Sequence, residues 1–305
     1  MRLGVSKALR FVLIFASIAI GPIALRAASL DPGTLDSWQS YLCGVKRQME
    51  QRLRRDKTFL WVVADPIRLA RVRKGEIVVS PTPNAKNPQH VTSGLIHDWI
   101  GAVFIPGATL KQVFRITRDY ANYKVIYRPS VIDSKVVTSS DSEDRFSLLL
   151  QNKSFFHKTA LETEYEYHYV QLTAGQAYGI SQTTRVQQIN GYGAPGQHIL
   201  PQDEGDGFIW RLCSIMRFLE RDGGVYLELR AVALSRDIPF SLCWLVEPVV
   251  RRVARDSIVT CLLQTRKAVL SRMESTKQMA NHHARINARI LRAKPEDLAQ
   301  TVLCK

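Results

Sequence analysis

The sequence is short of the residue groupings that most enzyme chemistry needs. Its five cysteines, Cys43, Cys213, Cys243, Cys261 and Cys304, make no C-x-x-C pair and no zinc spacing. An odd number leaves at least one thiol unpaired even in an oxidising compartment. Several lie inside apolar strand or helix patterns, where a buried, inert thiol is expected. There is no G-x-S-x-G, no H-E-x-x-H and no glycine-rich phosphate loop opening a helix. Gly191 to Gly196 is glycine-rich but lies between strand patterns and reads as a loop at a cavity lip. His282 and His283 are adjacent, so on a helix they diverge by about 100° and chelate poorly. Paired carboxylates are not evident. No catalytic residue, metal or cofactor is therefore expected. Repeats and low-complexity runs are absent as well.

Long apolar runs are scarce. Phe11–Leu25 is 15 residues, short of the ~20 needed to span a bilayer. It follows the basic stretch Met1–Arg10 and is broken at Gly21-Pro22, which matches a secretory leader. Ala27 and Ala28 are small, but Arg26 sits against them, so residues 1–28 read as a signal peptide or a retained anchor. Export to a periplasmic, secreted or membrane-anchored location is expected. The net charge is +15; Arg2, Lys7, Arg10 and Arg26 lie in the acid-free leader, leaving +11 in the body. A basic body attracts nucleic acid or anionic lipid headgroups. The leader favours an anionic membrane surface, and no nucleic acid is expected.

With 46% hydrophobic residues the chain can bury a substantial core. Leu35–Leu53 has helical periodicity, with Asp31-Pro32 as its start. Two short strands are expected at Phe59–Val63 and Glu76–Val79. The loop Ser80–Gln89, with three prolines, divides an N-terminal extension (29–91) from the main domain (92–273), and a basic polar tail (274–305) follows. Inside the main domain a β-rich run, Leu95–Ile105, precedes a short helix at Leu110–Arg118 and a tyrosine-bearing turn or helix at Asp119–Pro129. Strands are expected at Val131–Ser139, Arg145–Asn152, Leu161–Leu172, Tyr178–Ile189, Phe208–Leu219 and Val225–Ser235. A short helix, Phe240–Glu247, then precedes a long one starting at Pro248, with Val249, Val250, Val253, Ile258, Leu262, Val269 and Met273 as its stripe.

Two strands have informative faces. In Leu161–Tyr169 the odd positions are Leu161, Thr163, Tyr165, Tyr167 and Tyr169, and the even ones are three glutamates and His168. Inward tyrosines give an apolar wall with hydroxyl handles, or else simply fill a core. In the 208–235 hairpin, Asp222-Gly223 sets the turn. Phe208, Trp210, Leu212, Ser214, Met216 and Phe218 then share a face with Leu227, Leu229, Ala231 and Ala233. The other face holds Arg211, Arg217, Tyr226, Glu228 and Arg230, with Arg217 opposite Glu228 as a structural ion pair.

Trp99-Ile100-Gly101 through Phe104-Ile105-Pro106-Gly107, Asp119-Tyr120 with Tyr123, and Tyr127-Arg128-Pro129-Ser130-Val131 stand in a recognisable order. Asp222 to Tyr226, Leu234 to Pro239 and Arg255-Asp256-Ser257 continue it. The order resembles the START-like, helix-grip superfamily of lipid-transfer domains, polyketide cyclases and plant pathogenesis-related proteins. The resemblance implies an α+β fold: six to seven antiparallel strands wrapped around a long C-terminal helix, with an N-terminal helical extension. It further implies a cavity between sheet and helix for an apolar, lipid-like small molecule. Tyr165, Tyr167, Tyr169, Trp210, Leu212, Met216, Phe218, Leu227, Leu229 and Ala231 are its candidate lining. A non-catalytic, extracytoplasmic carrier is the leading reading. The rivals are a cyclase- or hydrolase-like enzyme using Tyr167, His97 or Asp98, and a structural cell-envelope protein. Fold alone does not decide among them.

Overall fold

The computed structural model describes residues 28–54, 59–140, 142–153, 158–238 and 243–292. Residues 1–27 of the leader, Phe240 and Cys304 lie outside the described residues. A two-residue strand β1 (Ala28–Ser29) leads into helix α1 (Pro32–Leu53), which starts as its sequence demands. Asp31 caps it by accepting from Gly33 N at 2.8 Å, and Pro32 occupies the first turn. Phe59–Val63 is not the expected strand: it is a buried series of turns. Two of its backbone amides, Trp61 N and Val62 N, donate to Glu228 of the sheet, and Val63 N donates to Leu60 O within the segment. Helix α2 (Pro66–Arg73) and strands β2 (Val78–Pro81), β3 (Gln89–Val91) and β4 (Gly94–Pro106) follow. Helix α3 (Leu110–Thr117) opens with a full capping box between Thr109 and Gln112; a 3-10 turn (Tyr120–Asn122) and α4 (Tyr123–Ile126) then carry Tyr120 and Tyr123, and Tyr127 follows α4.

The remaining strands are β5 (Val131–Ser139), β6 (Glu143–Lys153), β7 (Lys158–Thr173), β8 (Gln176–Asn190), β9 (His198–Ile199), β10 (Glu204–Gly205), β11 (Arg211–Arg221) and β12 (Gly224–Arg236). Eight of the twelve strands run antiparallel in the order β2-β4-β12-β11-β8-β7-β6-β5, with β3 added on β4 and β9 on β8. The sheet thus has ten strands rather than six to seven. The additions are two to four residues long, too short to show alternation. β1 pairs with β10 apart from this sheet.

Helix α5 (Cys243–Arg292) is continuous through Pro248, where a break was expected. A proline this close to the helix start removes one early hydrogen bond without ending the helix. It also runs past Met273 into the polar stretch, whose side chains to Arg285 are exposed. The sheet grips α5 on one face, mainly along β4 with β2 and β12 beside it, and α3 and α4 flank the helix. On the opposite face lie α1, through Trp38, Leu42, Val45 and Met49, and the 59–63 turns. This is the helix-grip arrangement, with an outer layer supplied by the extension. Among the described residues no helix is long and apolar enough to cross a membrane.

Candidate functional site

The hairpin register pairs Arg217 with Glu228, as the turn residues require. Both are buried on the outer face, and Arg217 Nη1 donates to Glu228 at 2.9 Å. Trp61 N donates to the same carboxylate at 2.6 Å. Beside it Arg230 clasps Asp98 through Nε at 3.0 Å and Nη2 at 2.5 Å. Asp98 also accepts from Tyr41 Oη at 2.7 Å and Thr82 Oγ1 at 2.6 Å. The extension therefore supplies partners for charges that the bare sheet would strand. These pairs are structural.

The inner face is different. Successive pairings put Trp99, Ala231, Ser214, Ser181 and Tyr167 in one row across β4, β12, β11, β8 and β7. At ~4.8 Å per strand the two aromatic ends are ~19 Å apart along the backbone, and only small side chains lie between them. The next row holds His97, Ala233 and Leu212, then Thr183 beside Tyr165. Leu212, Ser214, Met216, Ala231, Ala233 and Tyr165 are only half-buried. The other end of the same face is sealed. An added Cβ at Gly101 would stand 2.8 Å from Ile258 Cγ2 and 3.0 Å from Leu262 Cδ1, so α5 rests directly on β4 there. In its first turns, by contrast, α5 leaves Val249 and Val253 39% and 43% exposed. The two rows form a shallow trough, half-buried along Leu212, Ser214, Ala231 and Ala233, between Trp99 and Tyr167, whose hydroxyl lies over Gly179 of β8.

Three polar atoms on this face are buried with no hydrogen-bond partner among the described residues: Trp99 Nε1, Tyr167 Oη and His97 Nδ1. Burial pushes the Tyr167 hydroxyl well above its ordinary range, so it stays protonated and able to donate. Burial likewise takes Tyr165 up to about 12 and His97 down to about 4. The imidazole is thus neutral at physiological pH, with Nε2 3.0 Å from Ser235 Oγ.

His97 carries a pH prediction. Unfolded it binds its proton near 6.5, and folded only near 4. Its contribution is complete above pH 6.5 and is lost as the pH falls toward 4, because the unfolded chain then gains protons the fold refuses. At 1.36 kcal/mol per unit the loss reaches about 3 kcal/mol. Urea unfolding at pH 7, 5.5 and 4.5 should show it, and His97→Gln should flatten that part of the profile. An unchanged profile in the variant would mean that the imidazole protonates freely in the fold.

Of the ten candidate residues, Tyr165, Tyr167, Leu212 and Ala231 lie at the trough, while Met216 stands in the sealed Gly101 row between Leu229 and Gly179. Phe218, Leu227 and Leu229 are packed beneath α5 with Ile258 and Leu262, and Tyr169 packs edge-on against Phe114 at 4.6 Å. Trp210 is elsewhere: it packs on the outer face with Trp38, Leu42, Cys213 and Val232. The strand begins only at Arg211, after the left-handed turn at Gly207, so alternation does not extend back to Trp210. The inward tyrosines also meet a cluster of their own. Tyr120 stacks on Phe146 at 4.2 Å, and Phe146 stacks on Tyr165 at 5.0 Å. The sequence does not mark Trp99 and His97 as lining, because β4 is buried on both faces and its pattern distinguishes neither.

The three acid–base candidates do not converge. Asp98 faces outward, while His97 and Tyr167 lie at opposite sides of the inner face, on β4 and β7. Glu143, Glu166 and His168 could place ligand atoms within 4.8 Å of one another. Arg145 lies 3.1 Å from Glu143 and 3.7 Å from Glu166, so the two carboxylates already share a cation. Cys43, Cys213 and Cys261 are free thiols, and burial raises the latter two to about 11, which makes them inert.

No family model matches the chain, and neither does any curated protein. Similar solved structures include a STAR-related lipid transfer protein fragment from Xanthomonas axonopodis. It is 16% identical with a TM-score of 0.41, over 63% of this chain and 98% of that one. Human STARD10 is 9% identical with a TM-score of 0.45, over 68% and 74%. The Zhui aromatase/cyclase from Streptomyces sp. R1128 is 11% identical with a TM-score of 0.39, over 58% and 96%. Likeness at this level says nothing of what the chain binds. The START-like, helix-grip arrangement stands on the strand order and on the seat of α5 in the sheet.

Proposed function

We propose that the chain is a non-catalytic, exported carrier or sensor that holds an apolar, lipid-like molecule in the inner trough. The observation that carries this is the row Trp99–Ala231–Ser214–Ser181–Tyr167. Its floor is small, its ends are aromatic, and each end presents a buried donor without a partner. Leaving such a group unbonded costs about 1–3 kcal/mol. A ligand with an apolar body and an oxygen acceptor at its end removes that cost while covering the half-buried wall. Export rests on the leader, and the +11 body suits residence beside anionic headgroups.

The test is native mass spectrometry of the full chain purified from its own host, alongside Tyr167→Phe. The wild type should retain an apolar molecule that the variant holds at least tenfold less well, while the variant melts no lower. A wild type that carries nothing and takes up no added fatty acid would overturn the proposal. The same preparations, fractionated with and without residues 1–28, report location. Membrane or extracytoplasmic recovery should need the leader, and recovery that ignores it would count against export.

A further inference from the structure

Toward the end of the sheet away from His97, α3, the β7–β8 turn, the end of β11 and α5 border an open concavity of about 780 Å³. Lys111, Arg115, Arg118 and Arg272 line it, against Asp119 and Glu220. The two acids are already engaged. Glu220 accepts from Leu110 N at 2.7 Å, and Asp119 accepts from Asn122 Nδ2 at 2.8 Å. Arg118 is held in place: its Nε and Nη2 grip Asp144 at 3.0 and 3.1 Å, and Nη2 also reaches Ser140 O at 3.0 Å. Burial would raise the Asp144 carboxyl, but bonds from Arg118, Ser139 and Tyr120 outweigh it and keep it ionised. Lys111, Arg115 and Arg272 meet no carboxylate among the described residues. Arg71, Arg73, Arg145 and Arg185, on other parts of the surface, each meet at least one.

Three unmatched cations around one concavity, with a fourth fixed in it, repel one another and concentrate positive potential inward. Nothing in packing requires this: Lys111, Arg115 and Arg272 are exposed side chains on two different helices. We infer that this cavity binds a compact polyanion whose charge sits on phosphate groups. Guanidinium forks pair with phosphate oxygens through two parallel hydrogen bonds, and the lysine adds a point charge. The half-buried Phe114 beside them offers an apolar shoulder for the rest of the molecule. This site is separate from the trough and does not depend on what the trough holds. The phosphate can belong to a soluble phosphoester or to a lipid headgroup at a membrane surface.

The test is calorimetry of the full chain at about 0.1 M salt, where exposed charges beyond ~10 Å are screened. The probes are inorganic pyrophosphate and vesicles of phosphatidylcholine with and without phosphatidic acid. The variants are the triple Lys111→Gln/Arg115→Gln/Arg272→Gln and a control triple, Lys46→Gln/Arg47→Gln/Lys135→Gln, with equal charge removed elsewhere. Thermal melts establish that both fold, and the single change Arg115→Glu serves if the cavity triple does not. Binding should weaken at least tenfold in the cavity variant and less than threefold in the control. Pyrophosphate binding identifies a soluble source, and binding to phosphatidic acid vesicles alone identifies a headgroup; either supports the site. Equal losses in both triples would reduce the effect to general positive charge, and no binding by the wild type would refute it.

Discussion

Replacing Glu228 by leucine should lower the unfolding free energy by about 3–5 kcal/mol, the usual cost of stranding a buried charge. Arg217 is 1% exposed and opposite Glu228, and burial already depresses its pKa against the pull of that carboxylate. Without Glu228 the guanidinium keeps its desolvation cost and loses its counter-charge. Two amides of the extension, Trp61 N and Val62 N, lose their acceptor as well. Adding Arg217→Met to Glu228→Leu should recover part of the loss, because two apolar groups then meet where two charges did, while Trp61 N and Val62 N stay without that acceptor. Urea unfolding of both variants is the measurement. A loss under 1 kcal/mol in the single variant would show that water reaches Arg217. The effect should extend to the N-terminal extension, with earlier proteolysis between Arg54 and Val63.

The second large effect contrasts one substitution at two alanines on opposite faces of the sheet. Ala102 is fully buried against Phe59–Val62 on the outer face, while Ala231 is half-buried in the floor of the trough. Ala102→Trp overpacks a closed core, and a loss of about 1–3 kcal/mol or more is expected. Ala231→Trp puts the same ring beside Trp99 and Ser214, where the sheet face is only half-buried. It should keep nearly the parent melting temperature while abolishing retention of fatty-acid-like ligand. Thermal melts and a fluorescent fatty-acid titration read both effects. Equal destabilisation at the two sites, with no ligand in the parent, would make the trough ordinary core and favour a structural protein.

Much of this architecture is legible in the residue order. Asp31-Pro32 marks the start of α1, Asp222-Gly223 sets the Arg217–Glu228 register, and the alternation in Leu161–Tyr169 puts Tyr165 and Tyr167 on the inner face. Each of these is local: a cap, a turn or a period of two carries its own geometry. Three features needed the tertiary structure. Trp210 lies one residue before its strand, where the period of two has no hold. The turns at Phe59–Val63 resemble a strand in composition, yet their amides bond to Glu228 from 167 residues away. The trough's far wall, Trp99, sits on a strand apolar on both sides, so only pairing with β12 and the seat of α5 decide which way it faces. Periodicity specifies how a strand divides its side chains between two faces. Which face closes over a core, and which stays open to a ligand, depends on the elements that pack against the sheet from distant parts of the chain.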